Sequence, residues 1–190
     1  MSFIPACELG LWNAWILVIP MLIIFFYTMR VTSIGESGEA EDFELTKKEK
    51  RVINAVFLPM VISFIYAIFL PLQMDTAWLY IGLVTYLFGM VFIIIAVRNF
   101  ASSPKDKVIT KGLYSVTRNP EYIGLLLMFT GLGIACISWL SLLLTGILLI
   151  LLNLNMPAEE RYCFYKYGDE YQKYRNITPR WIGIPKSNGT

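Results

Sequence analysis

Residues 122–154 read YIGLLLMFTGLGIACISWLSLLLTGILLILLNL, a long apolar stretch bracketed by Arg118-Asn119-Pro120-Glu121 before it and by Pro157-Ala158-Glu159-Glu160 after it. As a single helix rising about 1.5 Å per residue it would reach roughly 50 Å, against a hydrocarbon core about 30 Å thick. It therefore has to turn back on itself. Ser138, Trp139 and Ser141 interrupt the aliphatic run, so two spans are predicted, split near 136–141. Charged groups then stand at both feet of one helix pair, which points to chemistry at a membrane surface, since packing or anchoring alone does not require them there.

The surrounding chain is equally apolar. Of 190 residues, 56% are hydrophobic and only 16% charged, and the mean hydropathy is +0.58. That is far more apolar than a soluble domain needs. Three further stretches, 11–29, 52–72 and 77–97, have the length of about 20 residues that a bilayer demands. The predicted fold class is an all-α polytopic membrane protein with five transmembrane helices, the last two a tight hairpin, followed by a cytoplasmic amphipathic helical segment.

Charge placement supports five spans, because Lys and Arg in short loops collect on the cytoplasmic side. With the N-terminus outside and the C-terminus cytoplasmic, all 16 Lys and Arg residues fall inside. Arg30, Lys47, Lys48, Lys50 and Arg51 occupy the first inner loop; Arg98, Lys105, Lys107, Lys111 and Arg118 the second; the rest lie in the tail. Trp12, Trp15, Trp78 and Trp139 then gather near the outer interface. A four-span arrangement would put the basic tail on the wrong side. The first apolar helix has no basic leader and no small-residue cleavage site, so it reads as a retained span rather than a signal peptide.

Local signals fill in the loops. Thr46-Lys47-Lys48-Glu49 matches a capping box that starts the second helix, and Pro59 is expected to kink it. The acidic stretch 36–44 suggests a mobile loop with one interfacial turn at Phe43 and Leu45. Cys7, Cys136 and Cys163 read as free thiols, with Cys7 and Cys136 the one pair that could approach. The sequons at Asn176 and Asn188 fall in the predicted cytoplasmic tail, where they stay silent.

Absences narrow the chemistry. The chain has no histidine, so the usual general base and the commonest metal ligand are missing. No metal site is expected. No phosphate-cradling Gly-rich loop or nucleophile elbow occurs, which excludes a soluble nucleotide-binding fold. The net charge of +2 is accounted for by topology and gives no support to nucleic acid binding.

What remains is a cytoplasmic layer rich in Tyr, Arg and Glu. Pro120 suits the first turn of a helix and Glu121 its positive end. Arg118 reads equally well as a ligand group or a topology anchor. Gly131 and Gly133 read as close helix packing or as a ligand notch. Pro157 is expected to start a last helix with Glu159 and Glu160 in its first turn; they sit at the hydrocarbon edge, where ionisable groups are expensive. Adjacent helical residues point about 100° apart, so one Glu should face a ligand while the other braces a basic neighbour. Cys163, Phe164, Tyr167, Tyr171 and Tyr174 form an aromatic stripe that is mostly packing, and Gly168-Asp169 is expected to break the helix and recap a short one ending near Arg175.

Gly112-Leu113-Tyr114, Arg118-Asn119-Pro120-Glu121-Tyr122-Ile123-Gly124, Pro157-Ala158-Glu159-Glu160, Tyr167-Gly168-Asp169-Glu170-Tyr171 and Pro179-Arg180, in this order and spacing, resemble the isoprenylcysteine carboxyl methyltransferase and phospholipid methyltransferase superfamily. The motifs cover roughly the last 80 residues. The resemblance implies a three-helix membrane region over 1–111, a methyltransferase-like core over 112–190, S-adenosylmethionine as methyl donor, and a lipid or lipophilic small molecule as acceptor. By position it assigns Arg118, Asn119, Pro120, Tyr122, Gly131, Gly133, Glu159 and Glu160 to the donor site, with Tyr171 the expected aromatic face for the adenine and Arg118, Glu159 and Glu160 the expected catalytic residues.

Two departures bear on the acceptor. Carboxyl-methylating members usually read Arg-His-Pro where this chain has Asn119, and carry Arg where it has Asn155. The missing Arg would suit a carboxylate acceptor, so the expectation shifts toward an amine, a thiol or another lipid-soluble nucleophile. For an amine, Glu159 or Glu160 is the expected proton acceptor. A noncatalytic small membrane carrier or assembly protein, and a membrane reductase using a nicotinamide cofactor, are the competing classes.

Overall fold

Thr46 opens its helix as the sequence requires: its hydroxyl accepts from the Glu49 amide at 3.2 Å and the Glu49 carboxylate accepts from the Thr46 amide at 2.7 Å. This capping box begins the second of five helices. The computed structural model describes residues 10–36, 43–104 and 106–183, without the side chains of 32–36. Its helices are α1 (Trp15–Glu36), α2 (Lys47–Ile68), α3 (Ala77–Ala101), α4 (Pro120–Ala135) and α5 (Trp139–Ile177), with a 3-10 turn at Gly112–Ser115 before α4. Among the described residues there is no named strand, only one bridge between Asn13 and Pro71. Cys7, the Asn188 sequon and residues 37–42 of the acidic loop lie outside the described residues. Cys136 and Cys163 are free thiols.

α2, α3 and α5 are long and apolar enough to cross a bilayer, and α1 and α4 contribute shorter apolar helices. With their large exposed hydrophobic side chains, they make a multi-pass membrane protein. The Ala14 amide donates to Leu70 O at 2.8 Å, the Gln73 amide to Ala135 O at 3.2 Å, and the Tyr66 and Ser138 hydroxyls meet at 3.3 Å. The start of α1, the end of α2, the start of α3 and the α4–α5 turn therefore share one end of the bundle. The opposite end collects the starts of α2 and α4, the end of α3 and the last part of α5. Lys47, Lys48, Lys50 and Arg51 at the start of α2, Arg98 near the end of α3, Arg118 just before α4, and Arg161, Lys166, Lys173 and Arg175 in the last part of α5 belong to that second end.

α3 and α4 run antiparallel at backbone contact because glycines face each other across the seam. A Cβ on Gly131 would lie 2.5 Å from the Tyr86 amide nitrogen, one on Gly82 2.6 Å from Gly131 O, and one on Gly124 2.8 Å from Gly89 O. Small residues permit this approach where lipid gives no hydrophobic drive between helices. A Cβ on Gly133 would meet Leu142 of α5. Tyr86, almost fully buried, then reaches across to donate to Leu17 O of α1 at 2.6 Å.

Two sequence expectations are corrected here. Pro157 does not start a helix: α5 runs through it. Met156 and Ala158 on either side are buried, so packing of both flanks holds the helix together across the one backbone bond that proline deletes. Glu159 and Glu160 consequently have no exposed helix amides to stabilise them. Phe43 and Leu45 form no turn either. Phe43 packs against the Tyr162 and Tyr165 rings at 5.2 and 5.4 Å, under the Arg161 guanidinium at 4.3 Å. Arg161 in turn donates to both Glu49 carboxylate oxygens, at 3.0 and 2.6 Å, and so ties the start of α2 to α5.

Gly168 breaks α5 as its sequence indicates, with φ 52° and ψ −128°. Only glycine takes this conformation cheaply. The chain continues helical to Ile177, two residues beyond the expected end.

Replacing Gly131 with Leu should push α3 from α4 and destabilise the protein by about 2 kcal/mol or more, read as a lowered unfolding temperature in detergent. The same substitution at Gly146, which has nothing within 4 Å of its Cβ position, should leave it nearly unchanged.

Candidate functional site

Pro120 occupies the first position of α4, where its missing amide costs nothing. The residues before it are fixed from the tail. The Arg118 amide donates to Pro179 O at 3.0 Å, and Thr117 Oγ1 and Asn119 Nδ2 both donate to Arg180 O, at 3.2 and 2.9 Å. Trp181 Nε1 donates to Asn153 Oδ1 at 3.0 Å. The bend at Gly168 lets Tyr171 and Tyr174 bury themselves side by side, and the Tyr174 hydroxyl donates to Tyr114 O at 2.7 Å.

Glu160 is the hub of the charges. Arg180 grips it through Nε at 2.8 Å and Nη2 at 3.0 Å; Arg118 Nη1 stands 3.0 Å away and Arg175 Nε 3.7 Å away. The Arg118 and Glu160 side chains are each only 11% exposed. The Arg118 contact is an ion pair without hydrogen-bond alignment, and neither Nη1 nor Nε of Arg118 finds a hydrogen-bond partner. Beside the Glu160 carboxylate, these donors keep hydrogen-bonding capacity for a further acceptor.

Glu159, on the next position of the helix, makes different bonds. It accepts from the Tyr122 hydroxyl of α4 and from Asn155 Nδ2 at 2.9 Å, and Asn155 Nδ2 also lies 3.1 Å from the Tyr122 hydroxyl. A second pair stands nearby: the Tyr114 hydroxyl donates to Glu121 Oε1 at 3.2 Å. Burial, and then the Glu121 charge, push the Tyr114 hydroxyl well above the ordinary tyrosine range. Tyr114 therefore stays a donor.

These groups line one cavity of about 480 Å³, within the range of roughly 300–1,000 Å³ usual for small-molecule sites. Arg118, Asn119, Pro120, Tyr122, Glu159, Glu160 and Tyr171 all contribute to its wall. Gly131 and Gly133 do not; they stand in the helix seams described above, where packing occupies them. Sequence reasoning placed Glu121 only as a helix-end charge and Asn155 only as a departure from a pattern, and gave no role to Tyr114 or Arg180 beyond their places in the motifs. The apolar part of the wall, from Phe100, Ala101, Pro104, Val108 and Ile109, carried no sequence signal at all. Among the described residues no cluster of three or more metal-ligating side chains occurs.

The arrangement is a membrane-edge pocket, polar on the α4–α5 side and apolar where the end of α3 and the following segment close it. Residues 77–170 match the phospholipid methyltransferase family. Protein-S-isoprenylcysteine O-methyltransferase of Schizosaccharomyces pombe is 26% identical over 144 residues, which are 73% of this chain and 59% of that protein. The chain thus spans less than two thirds of that relative's length. Both matches agree with the motifs: the chain is similar to a phospholipid methyltransferase family over residues 77–170 and to an isoprenylcysteine methyltransferase over much of its length. The family match begins at the first residue of α3, earlier than the motifs do. No solved structure matches the chain.

Glu160→Ala should lower stability by roughly 3 kcal/mol, the scale of stripping one partner from a buried ion pair. Arg175→Ala, half exposed and at 3.7 Å, should cost less than about 0.5 kcal/mol. Thermal unfolding of the two variants in one detergent checks the contrast.

Proposed function

We propose that this chain is an integral membrane S-adenosylmethionine-dependent methyltransferase acting on a lipid or lipid-soluble small acceptor. It spans the bilayer five times, with the N-terminus outside and the arginine-rich end of the bundle in the cytoplasm, and α4 and α5 form its hairpin. The observation that carries the reading is the one cavity shared by Arg118, Tyr122, Glu159 and Tyr171 and by apolar side chains of the α3 end.

The residues fit the donor. Arg118, with buried donors lacking hydrogen bonds, suits its carboxylate. Glu159 suits its ammonium and sulfonium, and Tyr171 offers a ring face to its adenine. Glu160 is engaged by three guanidiniums, so its part is to hold Arg118 in place. S-adenosylmethionine supplies a methyl carbon that is already electrophilic. The protein then needs chiefly to position the acceptor in line and exclude water, which requires no histidine. Asn155 stays neutral while it supports Tyr122 and Glu159. A neutral Asn155, where an arginine would suit a carboxylate, favours an amine or thiol acceptor over a prenylcysteine carboxyl.

Calorimetric titration of the detergent-solubilised chain with S-adenosylhomocysteine should give saturable binding. Arg118→Ala and Glu159→Gln should each weaken it at least about tenfold, the loss of one charge-assisted hydrogen bond, with helical circular dichroism retained. Wild-type affinity in both variants, or no saturable binding to the native chain, would overturn the reading.

A further inference from the structure

Glu121 is a carboxyl that the donor site leaves unused. It lines the same cavity as Arg118 and Glu159, yet the Arg118, Arg175 and Arg180 guanidiniums all pair with Glu160. Its own partner is neutral, the Tyr114 hydroxyl at 3.2 Å. Tyr114 is itself fixed, 9% exposed and held through its carbonyl by the Tyr174 hydroxyl. A carboxylate is thus kept in place at the membrane edge with no Lys or Arg paired to it among the described residues. In its ionised form such a group is costly unless a cation completes it. Helix-end electrostatics account for part of its stability, but not for its place on a cavity wall that also includes Phe100, Pro104, Val108 and Ile109.

We propose that Glu121, oriented by Tyr114, binds the ammonium headgroup of an amine-bearing lipid acceptor and takes the proton that nitrogen must lose, while the apolar side chains of Phe100, Pro104, Val108 and Ile109 receive the acyl portion. This assignment rests on the methyltransferase reading above. The ammonium gives one proton to the Glu121 carboxylate, and the freed nitrogen lone pair forms the new N–C bond. The methyl's C–S bond breaks with its electron pair going to sulfur, and Glu121 afterwards releases its proton to water. Tyr114, which keeps its proton, cannot replace Glu121 as acceptor. It fixes the carboxylate that does.

The test uses the full chain in detergent with short-chain phosphatidylethanolamine as probe, and with a prenylcysteine and a lipid thiol as comparators. Three readouts are taken: equilibrium binding of the lipid without donor, S-adenosylhomocysteine binding, and turnover with labelled donor. Glu121→Gln should weaken lipid binding about tenfold and lower kcat/KM for the amine about 100-fold, within the range for loss of a general base, while S-adenosylhomocysteine affinity stays within about twofold. Glu121→Asp should recover part of both losses. Unchanged amine binding and turnover in Glu121→Gln would overturn the assignment, as would preference of the native chain for the prenylcysteine or the thiol. Loss of S-adenosylhomocysteine affinity in that variant would make Glu121 a donor residue and overturn it too. A native chain that binds no S-adenosylhomocysteine sinks the underlying methyltransferase reading along with it.

Discussion

Glu160 draws three guanidiniums onto one carboxylate, and they come from three places: Arg118 from the segment before α4, Arg175 from the end of α5, and Arg180 from the tail beyond it. Removing the Glu160, Arg118 and Arg180 charges from water at the edge of a membrane is expensive, and the expense is met only when they close on one another, with the half-exposed Arg175 at the rim. The cluster therefore forms as a unit. Backbone and side-chain bonds from 117–119 to Pro179 and Arg180 run beside it, so the tail is stitched to the foot of α4 through neutral as well as charged contacts. The floor of the cavity depends on that stitching.

The opposite constraint acts in the bundle itself. α3 and α4 touch backbone to backbone through Gly82, Gly89, Gly124 and Gly131, a contact driven by close packing rather than by charge. It sets where the end of α3 falls relative to the start of α4, and so brings Phe100 and the segment after it to the cavity that the polar feet begin. One side of the pocket is thus built by small residues inside the bilayer, the other by ionised residues at its edge. A molecule with a polar reactive end and an apolar body meets both.

The two adjacent glutamates show how much of the site was legible. Their separation by about 100° on a helix already implied different tasks, and the structure gives Glu160 the basic neighbours and Glu159 the neutral Tyr122 and Asn155. The support expected for them, a helix start at Pro157, is absent, because burial of Met156 and Ala158 keeps α5 continuous. Local propensity favoured a break; tertiary packing overrode it. Gly131 and Gly133 were ambiguous for a similar reason, since a small residue serves a close helix and a ligand equally well until the neighbour is known. Glu121 was visible as a residue and invisible as a wall group, because nothing local to 120–122 says that Tyr114 will reach it.

Composition, period and local motifs determined that the chain is helical and membrane-borne, where the apolar stretch 122–154 divides, that Thr46 caps α2 and that Gly168 breaks α5. Those are matters of solvent and of neighbours a few residues apart, and a linear sequence encodes both directly. Tertiary structure decided that α5 passes through Pro157, that α3 joins α4 at backbone contact, that Arg180 reaches back to Glu160, and that Phe100, Pro104, Val108 and Ile109 share a cavity with Arg118. Each of these joins residues distant along the chain or sets packing against local propensity, and only the folded bundle fixes where helices so far apart in sequence come together.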